Sequence, residues 1–99
     1  MVIVWEYEVE PSAALAFEAA YGPDGDWARC FRQARGFQET RLFEQAGGGN
    51  RYLTLDMWED LDAFEAFQRE HAAEYQALDD RLRPLSVAQR CLGELAPLP

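Results

Sequence analysis

The sequence has few of the residues that usually form disulfides or bind metal ions. Its 99 residues include two cysteines and one histidine. Cys30 and Cys91 are isolated, without a CxxC spacing, and two cysteines are too few for a disulfide framework. A zinc site would need about four ligands at short spacings. We therefore expect both cysteines to be reduced residues of the core, and we expect no metal site.

Long apolar runs and basic charge are also lacking. No stretch approaches the roughly 20 apolar residues that span a bilayer, and the N-terminus alternates like a strand, without the basic flank of a signal peptide. Eighteen acidic side chains against nine basic ones give a formal net charge of −9, which repels nucleic acid and anionic lipid headgroups. The expected location is the cytoplasm, and neither nucleic acid nor membrane is an expected partner.

The length of the chain predicts a single domain that spans residues 1–99. A domain of this size can bury a real core, but its remaining apolar surface often lies in an oligomer interface. Residues 37–45 and 51–58 have strand-like composition and flank a glycine-rich loop at 46–50, which predicts a hairpin. Because no helix and no lysine follow this loop, phosphate binding is not expected.

Two more strands are predicted, one at each end of the chain. Residues 85–95 alternate loosely, and the prolines that follow them would not continue a central strand. Residues 2–10 alternate clearly between apolar and acidic side chains. The apolar positions of this first strand are Ile3, Trp5, Tyr7 and Val9.

Between the first and second strands the sequence predicts two helices. Residues 13–21 have strong helix propensity, with Ser12 as the expected cap and Gly22 as the end. Asp26 is placed to cap a second, short helix, whose apolar residues recur at helical spacing and should face inward. These residues are Trp27, Cys30, Phe31 and Ala34.

The single histidine lies on the third predicted helix, which runs from residue 61 to about residue 83 between an Asp60 cap and Pro84. His71 belongs to a stripe at steps of three and four residues, so it should point toward the core. It is the one side chain that titrates near neutral pH unaided. It can be catalytic, or it can be a half-buried residue with one structural hydrogen bond. The stripe is Leu61, Phe64, Phe67, His71, Tyr75, Leu78 and Leu82.

The order strand, two helices, strand, strand, helix, strand predicts a ferredoxin-like βαββαβ sandwich of the α+β class, with a four-stranded antiparallel sheet. Right-handed crossovers place all helices on one side of this sheet. The other face is expected to carry Tyr52, Thr54, Asp56 and Trp58, with acidic residues of the first strand. Such a face is too aromatic for a solvated surface, so a homodimer that covers it is expected.

Several segments carry a recognisable pattern of residues. They are Val-Ile-Val-Trp-Glu-Tyr-Glu-Val-Glu-Pro in the first strand, Gly-Phe-Gln-Glu-Thr-Arg-Leu-Phe in the second, and Arg-Tyr-Leu-Thr-Leu-Asp-Met-Trp-Glu-Asp in the third, with Phe64, Phe67 and His71 behind them. Nearly the whole chain resembles the antibiotic biosynthesis monooxygenase family of dimeric α/β barrels. The resemblance implies a homodimer whose sheets pack into a barrel, with a substrate cavity in each subunit between sheet and helices.

The same resemblance implies several activities. Some members oxidise polycyclic aromatic substrates with O₂ and no cofactor, some open haem, and many have no assigned activity. Trp58 matches the family's tryptophan by its position after the third strand, and His71 approximately matches its helical histidine. Haem-opening members pair a strand asparagine with a helical tryptophan, whereas here the first strand has no asparagine, and Ala66 or Phe67 stands at the tryptophan position. We therefore expect no haem and no other cofactor.

A cofactor-free oxygenase pocket needs a base, a hydrogen-bond donor and a dry aromatic wall. If the family function holds, His71 is the expected base, and Tyr75, one turn away, is the expected donor to a developing oxyanion. Asp56 could accept a proton or orient a ring, or it could pair with an arginine of the hairpin. The expected stacking surface for a flat substrate, which can equally be plain core, is Trp27, Phe31, Trp58, Phe64 and Phe67.

Two functions stay open at this point. The first is a cofactor-independent monooxygenase that oxidises a small hydrophobic aromatic metabolite, phenol-like or quinol-like, with O₂. The second is a non-catalytic dimer of the same fold that binds a small ligand or serves in a stress response. Whether His71 lines a cavity beside a second polar group would separate them. Nucleophilic hydrolysis is not expected, because neither Ser12 nor Ser86 has a histidine nearby in any sensible register.

Overall fold

Four antiparallel strands form one sheet, and helices pack on one of its faces. The computed structural model describes residues 1–99. The strands are β1 (Val2–Glu8), β2 (Phe37–Glu44), β3 (Arg51–Trp58) and β4 (Ala88–Leu95), in the spatial order β2-β3-β1-β4. All three neighbouring pairs are antiparallel. The predicted α+β ferredoxin-like fold is therefore confirmed.

Two helices follow β1 and two follow β3. They are α1 (Ala14–Tyr21), α2 (Asp26–Phe31), α3 (Leu61–Glu70) and α4 (Ala72–Leu82). One 3₁₀ turn, Pro11–Ala13, precedes α1, and another, Arg83–Leu85, follows α4. None of these helices has both the length and the apolar composition that crossing a bilayer requires. The cytoplasmic location stays a prediction.

The two helix caps expected near the N-terminus are wrong. Ser12 lies inside the 3₁₀ turn, and α1 begins without a side-chain cap. Asp26 is the first residue of α2 rather than its cap, which is Gly25. The Asp26 carboxylate instead pairs with Arg29 at 3.3 Å and with Arg81 at 3.0 Å.

The long helix expected after Asp60 is divided into α3 and α4. Asp60 caps α3 as predicted, because its carboxylate accepts a hydrogen bond of 2.8 Å from the Ala63 amide. The helix is interrupted at His71, where φ is −121° and ψ is 30°. Backbone hydrogen bonds of 2.9 Å still join His71 to Phe67 and Tyr75, so the interruption is a local distortion. No glycine or proline marks it, and the sequence therefore contained no signal for it.

The two faces of β3 are the reverse of the expectation. Tyr52, Thr54, Asp56 and Trp58 were expected on the face away from the helices, but they lie beneath the helices with exposures of 0–9%. Across the sheet they pair with the inward face of β1, as the Ile3–Asp56 register illustrates. The helix-covered face holds two polar residues of β3 because, as described below, it encloses a cavity as well as a core.

The opposite side of the sheet carries aliphatic side chains. We call it the open face and define it by Val2, Val4, Leu53, Leu55 and Met57, which are paired across β1 and β3 in alternation with the residues beneath the helices. No helix covers this face, but Val4 is 7% exposed and the other four side chains are half-buried. An antiparallel sheet with one solvated face usually presents polar residues there, so the aliphatic composition is typical of a surface that a partner covers.

The core lies between the sheet and the helices and is mainly aromatic. Phe17, Trp58 and Phe67 are almost completely buried. Both cysteines are free. Cys30 is buried in this core as predicted, but Cys91 is exposed and the prediction for it is wrong. Cys91 lies on the edge strand β4, where six of eight residues are exposed.

Candidate functional site

A cavity of about 150 Å³ lies between the helix layer and the covered face of the sheet, and fourteen residues line it. The sheet supplies its floor, which includes Ile3 and Tyr7 of β1 and Thr40 of β2. Helices α1, α2, α3 and α4 each contribute at least one residue to its walls. The cavity therefore occupies the place between sheet and helices that the family resemblance implies for a substrate.

Half of the lining is aromatic. Trp27 and Phe31 of α2 stack with ring centroids 5.6 Å apart, and Trp27 also packs at 5.1 Å from Tyr75 of α4. Packed rings of this kind favour a flat aromatic ligand, which can take offset-stacked or edge-to-face positions against them. The aromatic lining residues are Trp5, Tyr7, Tyr21, Trp27, Phe31, Phe64 and Tyr75.

A carboxylate lies on the cavity floor. Asp56 is 9% exposed, and the Thr40 hydroxyl donates a hydrogen bond of 2.7 Å to its Oδ1. Burial raises the pKa of Asp56 from 3.8 to about 6, and the hydrogen bond from Thr40 opposes this rise. No other side chain donates to this carboxylate, so Asp56 is a buried acceptor with spare capacity at the cavity.

Two further polar atoms in the cavity have no partner in the protein. The Thr54 hydroxyl and the Trp27 indole N–H are buried without a hydrogen bond. Each of them has a tyrosine nearby, since the Tyr21 hydroxyl is a neighbour of the Trp27 indole, so both groups can turn either to a tyrosine or to a ligand in the cavity. The Tyr7 hydroxyl lies close to Thr54, and burial raises the pKa of Tyr7 well above its usual range, so it stays protonated.

Tyr75 provides a phenol hydroxyl on the helix side. Burial, followed by the charges of Asp79 and Asp56, raises the pKa of Tyr75 to about 12. This hydroxyl is therefore protonated at neutral pH and can donate a hydrogen bond.

The polar lining residues that are not buried are Asp79, Arg83 and Gln89, and we call the part of the cavity that they line the mouth. Arg83 is 59% exposed and Asp79 is 18% exposed. The Arg83 guanidinium donates through Nη2 to the Asp79 carboxylate, one helical turn earlier. Arg83 is the only basic residue that lines the cavity.

The structure brings together five of the eight residues that the sequence singled out. They line the cavity in three groups, a possible base, a possible donor and an aromatic wall, namely Asp56, Tyr75, Trp27, Phe31 and Phe64. Trp58 and Phe67 lie in the core behind the wall: Trp58 packs at 5.4 Å from Phe31 and at 5.6 Å from Phe67. These two residues support the wall without reaching the cavity.

His71 does not line the cavity. Its ring stacks on Phe67 with centroids 5.1 Å apart, and its Nδ1 lies 3.6 Å from a carboxylate oxygen of Glu74. The side chain is 22% exposed. It is thus half-buried at the junction of α3 and α4, outside the cavity. Its catalytic role stays a prediction.

Sequence reasoning missed Thr40, Thr54, Tyr7 and Arg83 as lining residues. Thr54 could have been predicted from the sequence, because it shares a strand face with Asp56 by simple alternation. Arg83 follows the last turn of α4 and carried no distinguishing pattern. No group of three or more histidine, cysteine or carboxylate side chains is placed to hold a metal ion.

The sequence matches the family of antibiotic biosynthesis monooxygenases over residues 1–78. The chain belongs to this family. No curated protein matches the chain significantly. This membership makes a monooxygenase the coarse functional class, and it leaves the substrate open.

Solved structures share the fold of this family member. A proposed antibiotic biosynthesis monooxygenase from Bordetella bronchiseptica matches with a TM-score of 0.71 at 20% identity, over 98% of this chain and 96% of that one. A variant of SnoaB, a cofactor-independent oxygenase from Streptomyces nogalater, matches at 0.68 and 24% identity, over 99% and 95%. A third, from Deinococcus radiodurans, matches at 0.67 and 18% identity, over 99% and 98%. At these identities the likeness shows the fold.

Proposed function

We propose that the protein is a cofactor-independent monooxygenase that oxidises a small hydroxylated aromatic molecule with O₂. The main support for this proposal is the position of Asp56 on the floor of an aromatic cavity, where burial raises the pKa of its carboxyl group to about 6. Membership of the monooxygenase family supports it. SnoaB, which has the same fold, is a cofactor-independent oxygenase.

Asp56 is the proposed general base. A base is most effective when its pKa lies near the working pH, and a pKa of about 6 leaves Asp56 ionised at pH 7 but more basic than an ordinary aspartate. It would take the proton of a phenolic hydroxyl group of the substrate. We assign this role to Asp56 instead of His71 because Asp56 lines the cavity and His71 does not.

Tyr75 is the proposed hydrogen-bond donor. Its hydroxyl stays protonated because its pKa is raised to about 12, so it can stabilise negative charge that develops on the substrate oxygen. The Trp27 N–H and the Thr54 hydroxyl are further donors that line the same cavity. The apolar walls limit the access of water, which strengthens each of these interactions.

The substrate anion would supply the electrons for the reaction. A ring carbon of the anion bonds to O₂ and forms a peroxide, which the proton held by Asp56 converts to a hydroperoxide. The O–O bond then breaks: one oxygen stays on the ring as a carbonyl, and the other leaves as water with the hydrogen of that ring carbon. One hydroquinone and one O₂ thus give one hydroxyquinone and one water, so no further reductant is needed.

We also infer that the protein is a homodimer through the open face. Its aliphatic residues alternate along β3 with those of the cavity, and leaving them in water would be unfavourable. Sheet-to-sheet packing of two copies would cover them and leave each cavity on the outer, helix-covered side. Charged pairs from Glu6 to Arg51 at 3.6 Å and to Arg90 at 3.2 Å lie at one end of this face.

The test compares two variants in an oxygen electrode with 1,4-dihydroxynaphthalene and smaller hydroquinones as substrates. Asp56→Asn preserves shape but removes the base, so kcat/KM should fall by about 10² or more. His71→Gln should stay within about twofold of the wild type. Circular dichroism checks that both variants are folded.

Other results would change this assignment. A large loss in His71→Gln together with an active Asp56→Asn would make His71 the base. Oxygen consumption by the wild type equal to that of buffer would favour the non-catalytic ligand-binding alternative.

A further inference from the structure

The volume of the cavity limits the size of its ligand. A closed apolar cavity of about 150 Å³ in a protein holds one benzene ring, and the cavity beside Asp56 has the same volume of about 150 Å³ but is open at its mouth. Its walls are rings that themselves pack tightly, including Phe31, which contacts Phe37 at 5.5 Å and Trp58 at 5.4 Å. A second fused ring would need these side chains to move, or would extend past the mouth into water.

The polar groups of the cavity are separated into two sets. Thr40, Thr54 and Asp56 lie on the floor and are 9% exposed or less. Asp79 and Arg83 lie at the mouth and are more exposed, at 18% and 59%. A ligand that satisfies both sets has one hydroxylated end and one polar end, with an aromatic ring between them.

Arg83 determines which polar end fits the mouth. A guanidinium has five N–H donors in a planar arrangement that matches the two oxygens of a carboxylate. In Arg83 only Nη2 donates to a protein acceptor, which is Asp79. The other donors have no partner in the protein and are available to a ligand. Elsewhere the lining has Asp56 but no other cation, so Arg83 is the single attractive site for an anion.

From these observations we infer that the ligand is a single-ring hydroquinone whose side chain ends in a carboxylate, with a ring hydroxyl at Asp56 and the carboxylate at Arg83. The oxidation of this ligand rests on the proposed function, but its binding does not. The experiment therefore measures binding under nitrogen by isothermal titration calorimetry, where no turnover takes place.

The first comparison tests the carboxylate. The probes are 2,5-dihydroxyphenylacetate and its methyl ester, which have the same ring and differ in charge. The wild type should bind the acid about tenfold more tightly than the ester, and Arg83→Gln should bind both equally. Arg69→Gln, on the exposed side of α3, is the matched control and should keep the preference. An equal preference in the wild type and in Arg83→Gln would overturn the inference.

A second variant covers the case in which Arg83→Gln is poorly folded. Asp79→Asn replaces the charged acceptor of Arg83 Nη2 by a neutral one and so removes a negative charge from the mouth. It should therefore increase the preference for the acid over the ester by about threefold or more. Loss of stability alone would not strengthen the binding of one probe over another, and a decreased preference would contradict the role of Arg83.

The last comparison tests the size of the ligand and separates this inference from the proposed function. The two-ring probe 1,4-dihydroxynaphthalene-2-acetate should bind the wild type at least about tenfold more weakly than the one-ring acid. Equal or tighter binding would overturn the single-ring assignment. If the one-ring acid binds as expected but no oxygen is consumed in air, the ligand assignment stands and the monooxygenase proposal fails.

Discussion

The Thr40 hydroxyl donates a hydrogen bond of 2.7 Å to Asp56 across the β2–β3 pair, on the floor of the cavity. The two residues face each other directly in the register of these strands. The bond stabilises the charged form of the carboxylate, whereas burial stabilises the neutral form. The basicity of Asp56 is therefore set by two opposing effects, and a change to Thr40 alters only one of them.

Thr40→Val should raise the pKa of Asp56 further above about 6, because it removes the hydrogen bond and keeps the burial. A hydrogen bond to a charged group contributes about 1.5 kcal/mol, which corresponds to about one pH unit. The acid limb of the kcat/KM profile should move to higher pH by about that amount. Thr40→Ser keeps the hydroxyl and serves as the control. Identical profiles for the valine variant and the wild type would show that Asp56 is not the base.

The raised pKa of Asp56 also predicts a pH-dependent stability. Below pH 3.8 the carboxyl is mostly protonated in both folded and unfolded chains. As the pH rises from 3.8 to about 6, the unfolded chain releases this proton first, so the folded state loses stability and does not recover it at higher pH.

The Asp56→Asn variant has no carboxyl group at this position, so it should not lose stability in this way as the pH rises. Its free energy of unfolding relative to the wild type should increase by about 2 kcal/mol between pH 4 and pH 7, as measured by urea denaturation at both values. Asp62→Asn, an exposed position in the first turn of α3, provides the comparison, because its carboxylate is in water. A difference that does not change with pH would mean that burial has little effect on Asp56.

Phe31→Ala should destabilise the protein by about 3 kcal/mol, because a buried phenylalanine is removed from contacts with several other rings. Urea denaturation measures this loss. The same variant enlarges the cavity, so the two-ring hydroquinone should now bind more tightly than it binds the wild type. A loss below about 1 kcal/mol would indicate that the side chain borders an open, hydrated space instead of the core.

The wild type should be a dimer, so light scattering at micromolar concentration should give twice the chain mass of 11.3 kDa. Leu55→Asp places a charge at the centre of the open face and should give a monomer. Leu15→Asp makes the same change on α1, at a leucine that is 84% exposed, and should remain a dimer. A wild type that stays monomeric at all concentrations would contradict the proposed interface.

The order of elements was predictable from sequence, but the side of the sheet that the helices cover was not. Both faces of β3 contain large apolar side chains, and Thr54 and Asp56 made one face appear more polar than the other. Ordinary patterning assigns polar residues to solvent. Here they lie inside because they line a cavity, and such departures from the pattern are typical of functional sites.

The aromatic wall was predictable because helical spacing places Trp27, Phe31 and Phe64 on inward faces. The proposed base was harder to predict. Histidine has a suitable pKa without any help, whereas the pKa of Asp56 is raised only by burial in the folded chain. His71, at a helix interruption that no glycine or proline signals in the sequence, lies outside the cavity.

The alternation along β3 has a consequence for how the protein can be altered. Leu55 and Asp56 are consecutive in the chain, yet the first belongs to the open face and the second to the cavity. Substitutions at Leu53, Leu55 and Met57 would therefore act on the proposed dimer interface, whereas substitutions at Thr54 and Asp56 would act on the cavity. The proposed interface and the cavity can thus be altered separately within a segment of eight residues.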